Sequence, residues 1–158
     1  LILKGKVNKM EQNILKEESI FIKKNFENRE EALSFFSDNL INRGKVSNDF
    51  KKALLEREEE FPTGLQIGDI NVAVPHADHI YVKESEIILC TLENPVEFQR
   101  MDNPEKEVKV SIIILMAINN PDTHIEVLQK IFSLIQDQSI LKRVFAEDNK
   151  IKISEIFN

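Results

Sequence analysis

Three residues of this chain could between them attack or hold an anion, and each sits where regular backbone is expected to break off: Arg57, His76 and His124. His76 follows Asn71-Val72-Ala73-Val74-Pro75, a β-branched run that ends in proline. Proline has no N–H to give to a sheet and fixes its own φ, so a ladder is expected to stop there. The imidazole then falls just past a strand end, where open α/β sheets hold their ligands. His124 lies in Asn119-Asn120-Pro121-Asp122-Thr123-His124-Ile125-Glu126, after the apolar run from Ser111 to Ile118 that reads as a buried central strand. Thr123 and Glu126 make a capping-box pattern, and Val127, Leu128, Ile131, Phe132 and Ile135 repeat at helical spacing. His124 is therefore expected in a first helical turn, again past a strand end. Arg57 stands on the helix before these segments. One histidine so placed is weak evidence of chemistry; two with an arginine form a constellation.

The same residues carry a family resemblance. REEEFPTGL, NVAVPHAD and PDTHIEVLQKIF resemble enzyme IIA of the fructose–mannitol type, from the bacterial phosphoenolpyruvate-dependent sugar phosphotransferase system (PTS). FPTGLQIGDINVAVPHAD and PVEFQRMDNPEKEVKVSIIILMAINNPDTH are most similar to galactitol-specific IIA components. The resemblance is dense from Asp49 to Gln138 and looser at both ends. It implies a phosphotransferase without a cofactor. His76 would take a phosphoryl group from the carrier protein HPr and pass it to a cysteine on a IIB partner, which serves a IIC membrane transporter. It also implies that His124 is the second active-site histidine and Arg57 the phosphate-binding arginine. The alternative implied is a IIA-like regulatory module, of the nitrogen or fructose–mannitol type, whose phosphorylation state controls partner proteins.

That chemistry suits the residue types. A neutral imidazole, with a reference pKa of about 6.5, is a nucleophile at neutral pH. Phosphoryl transfer asks little else of a protein than positioning and charge stabilisation, and a planar guanidinium can hold one phosphate by two hydrogen bonds. A helix beginning at Thr123 is expected to aim free N–H groups at the anion and to disfavour protonation of His124.

Other residues carry weaker expectations. Thr63 and Gly64 either line the phosphate or form an ordinary Pro-Thr-Gly turn. Asp78 is expected to cap a turn rather than orient a histidine, and His79 to lie at the surface. The three histidines lack a compact zinc spacing, so no metal is expected. The Glu56–Glu60 cluster reads as a solvated helix face, with a second role in selecting a basic partner surface left open. Cys90, inside the strand-like Glu86–Leu92, reads as a small buried hydrophobe. As the single cysteine it excludes an internal disulfide and fits a reducing compartment, the cytoplasm.

The elements that must position these residues follow from periodicity. A first strand is expected over Ser19–Phe26 and a helix over Arg29–Asn42 with Leu33, Phe36 and Leu40 on one face, closed by Gly44. Ser47 is expected to cap the next helix, with Phe50, Leu54 and Phe61 pointing inward. Strands are expected near 70–75, 86–92 and 109–118, with Glu93–Lys109 as a turn or hairpin. A helix from His124 to about Gln138 and two short closing helices, Ile140–Ala146 and Ile153–Phe157, complete the chain. The pattern predicts a single α/β domain over 1–158: three layers, with a small mixed β-sheet flanked by helices on both faces. Residues 1–9, ahead of Met10, are read as an extension.

At 158 residues the chain can bury a full core. A formal charge of −6 without a basic patch argues against nucleic acid. No apolar run approaches the roughly 20 residues of a membrane-spanning helix, and no signal-peptide pattern is present. Any transporter served is thus expected to be another polypeptide, and no cysteine precedes a phosphate-binding loop of the IIB kind, so IIA alone is expected.

Overall fold

The computed structural model describes residues 15–158; the extension expected over residues 1–9 lies outside them. The fold is organised by two long antiparallel strands, β4 (Glu86–Gln99) and β5 (Glu107–Ala117). Successive side chains of a strand point to opposite faces, so an unbroken apolar run requires a core on each side. Ile113, Leu115 and Ala117 of β5 face one core, with Ile88 and Cys90 of β4. Ile112, Ile114 and Met116 face the other, with Ile87 and Leu89.

Three shorter strands complete the sheet: β1 (Ile20–Lys24), β2 (Gly64–Leu65) and β3 (Val72–Ala73), in the order β1-β4-β5-β3-β2. β1 runs parallel to β4 and β3 parallel to β5, while β2 is antiparallel to β3. The sheet is therefore mixed, as expected. Helices α1 (Arg29–Asn42) and α2 (Phe50–Glu60) cover one face through Leu33, Phe36, Leu40, Phe50 and Leu54. On the other face α3 (Pro121–Ile135), α4 (Gln138–Ala146) and α5 (Lys150–Phe157) supply Val127, Ile131, Leu141, Val144 and Ile153. The three-layer α/β architecture read from the sequence is the one observed. Among the described residues no helix is long and apolar enough to cross a membrane.

Several local expectations are corrected. Ser47 does not cap α2: the cap position falls to Asp49, and the Ser47 carbonyl instead accepts from the Phe50 N–H at 3.1 Å. Phe61 does not point inward but is 54% exposed, because Pro62 restricts its backbone and α2 ends one residue earlier. The turn expected over Glu93–Lys109 is shorter, since β4 runs on to Gln99. Pro95 is tolerated there because the β4–β5 register shifts between Thr91 and Val96, a bulge where no ladder N–H is needed. The strand near 70–75 is regular only at Val72–Ala73, yet pairing with β5 resumes once, between His76 and Met116.

Candidate active site

His76 owes its place to Pro75. The proline offers no N–H, but its carbonyl accepts from the Met116 N–H at 3.0 Å, so the chain stays on the end of β5 while the regular ladder stops. The His76 ring is half-buried, and its Nδ1 lies 2.9 Å from the Val74 carbonyl oxygen. A carbonyl oxygen only accepts, so Nδ1 carries the proton and Nε2 keeps the lone pair. Burial pushes the ring's pKa below 6.5; the bond to Val74 opposes this and the Arg57 charge adds to it. The neutral ring thus has one nitrogen, Nε2, with a lone pair free to act as a nucleophile.

His124 comes from the adjacent strand end. The expected cap at Thr123 gives way to Asn120, followed by Pro121 at the first helical position, where its missing N–H costs nothing. Asn120 Oδ1 accepts from the N–H groups of Asp122 (2.9 Å) and Thr123 (3.2 Å). The Asn120 carbonyl accepts from the His124 N–H at 2.9 Å. The free N–H groups expected at this helix start are therefore engaged by Asn120. Next to it, Asn119 is bound to Ser85, donating its N–H and accepting the hydroxyl, both at 3.0 Å. The first turn is held in place on two sides.

The two rings stand 4.9 Å apart between centroids, inclined at 67°, edge to face. His124 has its pKa lowered, first by burial and then by the charges of His76 and Arg57. Arg57 is exposed in the last turn of α2, with its guanidinium carbon 4.9 Å from the centroid of the Phe61 ring. The Arg57 charge is near enough to help lower the pKa of both histidines. The structure brings His76 and His124 together, with the charge of Arg57 within electrostatic reach of both rings.

Thr63 and Gly64 sit behind it. Gly64 pairs with Ala73, and a Cβ there would stand 2.6 Å from the Gln99 carbonyl oxygen, so glycine permits the close approach of β2 to the β4–β5 hairpin. Thr63 is buried, and its amide and hydroxyl are both occupied by Glu58. Here the sequence reading needs a correction: Glu58 is not on a solvated face but only 4% exposed. Its Oε2 accepts the Thr63 N–H at 2.6 Å and its Oε1 the Thr63 hydroxyl at 2.6 Å. Burial outweighs those bonds and pushes its pKa up to about 7. The available signal was phase: Phe50, Leu54 and Glu58 follow one another at a spacing of four, on the buried stripe of α2.

Asp78 caps the turn at His79–Tyr81, accepting from the Ile80 N–H, and also lies 3.1 Å from His79 Nδ1. Cys90 is buried, which pushes its thiol up to about 12, and it stands away from any chemistry. Among the described residues no group of His, Cys, Asp and Glu is arranged to hold a metal ion.

A half-buried neutral imidazole beside a second imidazole, with an arginine within electrostatic reach, at the strand ends of a three-layer α/β fold, can hold an anionic group. Residues 13–158 match the model of the family described as "Phosphoenolpyruvate-dependent sugar phosphotransferase system, EIIA 2", and the chain belongs to that family of phosphotransferase components. It is 32% identical over 117 residues to the galactitol-specific EIIA component of Escherichia coli K12, covering 74% of this chain and 77% of that protein. The 2-O-alpha-mannosyl-D-glycerate-specific EIIABC component of the same strain is 32% identical over 124 residues, 75% of this chain and 18% of that protein. In fold it is similar to IIA mannitol from Escherichia coli, with a TM-score of 0.76 at 24% identity, over 91% of this chain and 99% of that one. It is similar also to IIA in the complex of mannitol enzymes IIA and phosphorylated IIB, with a TM-score of 0.75 at 24% identity, over 90% and 96%.

Proposed function

We propose that the chain is a cytoplasmic phosphocarrier of the PTS that accepts a phosphoryl group from phospho-HPr on His76 and hands it to a IIB cysteine. The observation that carries this is the bond between His76 Nδ1 and Val74, which leaves Nε2 as the one ring atom with a free lone pair. In the first step Nε2 attacks phosphorus, a P–N bond forms, and the P–N bond to the donor's histidine breaks. In the second the IIB thiolate attacks, a P–S bond forms, and the bond to Nε2 breaks. Arg57 and His124 face the charge that spreads over the phosphoryl oxygens in each transition state. His124, neutral, donates one hydrogen bond, and Arg57 supplies the full positive charge. Thr63 and Gly64 set the floor of the site rather than touch the anion.

Three of the large apolar residues left exposed lie within five positions of these groups in sequence: Phe61, Ile80 at 70% and Ile125 at 55%. An apolar rim around a phosphoryl centre suits successive docking of two protein partners, HPr and IIB, with water excluded at transfer. The galactitol-specific relative supports galactitol or a related sugar alcohol as the cargo of the IIC transporter at the end of the relay. Residues 13–158 act in this reading as one IIA unit.

The test is a chase. With phosphoenolpyruvate, enzyme I and HPr, the protein should gain one acid-labile phosphoryl group, and addition of a galactitol IIB should remove it. Label on His76→Ala or on His79 would overturn the assignment of the nucleophile. A phosphoprotein that no galactitol, fructose or mannitol IIB can discharge would favour the regulatory module instead.

A further inference from the structure

Glu58 is a buried carboxylate that the transfer chemistry does not use, on the position next to Arg57. Among the described residues its two oxygens bind only Thr63, through the amide and the hydroxyl. The carbonyl of that same Thr63 accepts from the Val74 N–H at 3.3 Å. The carbonyl of Val74 in turn accepts from His76 Nδ1 at 2.9 Å. A continuous line of four residues therefore runs from the end of α2 to the ring, and each link constrains the next peptide.

We propose that Glu58 is a positioning residue for His76: through Thr63 and Val74 it fixes the carbonyl that selects the ring's tautomer and turns Nε2 outward. The proposal rests on His76 as the phosphoryl acceptor. Three features make the line a constraint rather than a coincidence of neighbours. β2 and β3 are two residues long each, so their own ladder is too short to fix a peptide at their end. Pro75 follows Val74 and cannot donate, so between β3 and His76 the chain is tied to β5 by the Pro75 carbonyl, which accepts from the Met116 N–H, while the Val74 peptide is held by Thr63. Finally, Glu58 and Arg57 share one helical turn, so the clamp that seats Glu58 also sets where Arg57 leaves the helix. Arginine and histidine are thus referred to one fixed point, although they come from separate elements.

The clamp also survives a change of protonation. The ionised carboxylate accepts both Thr63 bonds; the protonated one accepts the amide and donates to the hydroxyl oxygen, which can take either role. A glutamine can do the same. Leucine, of similar size, can do neither and would leave two buried polar groups without partners.

The experiment is nitrogen-detected NMR of the His76 ring in the unphosphorylated protein, compared across the parent, Glu58→Gln and Glu58→Leu. The parent should show one tautomer, protonated on Nδ1. Glu58→Leu should show exchange between tautomers, and Glu58→Gln should restore the single form. Phosphoryl acceptance should follow, falling by about tenfold to a hundredfold in Glu58→Leu, the loss expected when a reacting atom is misplaced by about 1 Å. If Glu58→Leu does not fold, Glu58→Ala, which leaves room for water at the Thr63 amide, is read in the same way. A folded Leu or Ala variant with the parental ring spectrum overturns the proposal, and so does a Gln variant no better than Leu. The NMR readout needs no phosphoryl donor, so it fails or succeeds separately from the function: a protein that takes no phosphate on His76 refutes the carrier, not the clamp.

Discussion

The Glu58 carboxyl should make folding stability depend on pH in a way that one substitution removes. Its pKa in the fold is about 7, against an ordinary value of 4.5. The unfolded chain therefore releases this proton before the folded protein does. The stability contributed is fully present below about 4.5 and is lost as pH rises through about 7. Each tenfold difference in proton affinity is worth about 1.4 kcal/mol, so the gap amounts to about 3 kcal/mol, most of which falls between pH 5 and pH 8. Glu58→Gln keeps the geometry and does not titrate. The assay is urea unfolding of parent and variant at several pH values, taking the difference in unfolding free energy at each so that every other group cancels. The stability of Glu58→Gln relative to the parent should climb by roughly 2–3 kcal/mol from pH 5 to pH 8. A difference flat to within about 0.5 kcal/mol would refute a desolvated carboxyl at this position.

Other expectations follow from the same site. Arg57→Lys keeps the charge but loses two-point contact with the phosphate, so transfer should slow with little change in folding; unaltered rates in both Arg57→Lys and Arg57→Ala would make it an ordinary surface residue. His124→Ala should still take phosphate on His76 but donate to IIB on the order of a hundredfold more slowly, and a parental rate of donation would remove its role. Because burial lowers the pKa of His76 below 6.5, phosphoryl acceptance should keep more than half of its rate as pH falls from 8 to 6.5; a half-loss at or above 6.5 would contradict this. Gly64→Ala should cost roughly 1–3 kcal/mol in urea unfolding, since its Cβ meets backbone at 2.6 Å, and a neutral effect would mean that β2 can shift.

The layers and the strand ends were legible because each depends on a pattern that only one structure satisfies. An apolar run from Ser111 to Ile118 needs two cores, and Pro75 must interrupt the ladder before His76. What failed to read was decided by competition between local signals. Asn120 and Thr123 are both good caps, and the proline between them settles the matter in favour of Asn120. Glu93–Lys109 read as a turn or hairpin, but β4 continues through Pro95 because Val96 and Phe98 find Val110 and Val108 across the hairpin. That pairing is long-range information. Glu58 was hidden among charges on either side of it; composition called the segment solvated, while phase put that glutamate beside Phe50 and Leu54.

The way α3 begins has a thermodynamic consequence. A helix start with open N–H groups is a strong phosphate trap. Here Pro121 has none, and Asn120 has already engaged those of Asp122, Thr123 and His124. On the proposed reaction the incoming group meets a guanidinium and one ring N–H, and the first amides of α3 are not open to it. An intermediate in a relay gains nothing from depth: each kilocalorie that holds the phosphoryl group on this chain raises the barrier to its departure for the next. On that reading a shallow site would keep the exchange with donor and acceptor near balance, leaving the direction of flow to be set by phosphoenolpyruvate at one end and sugar at the other.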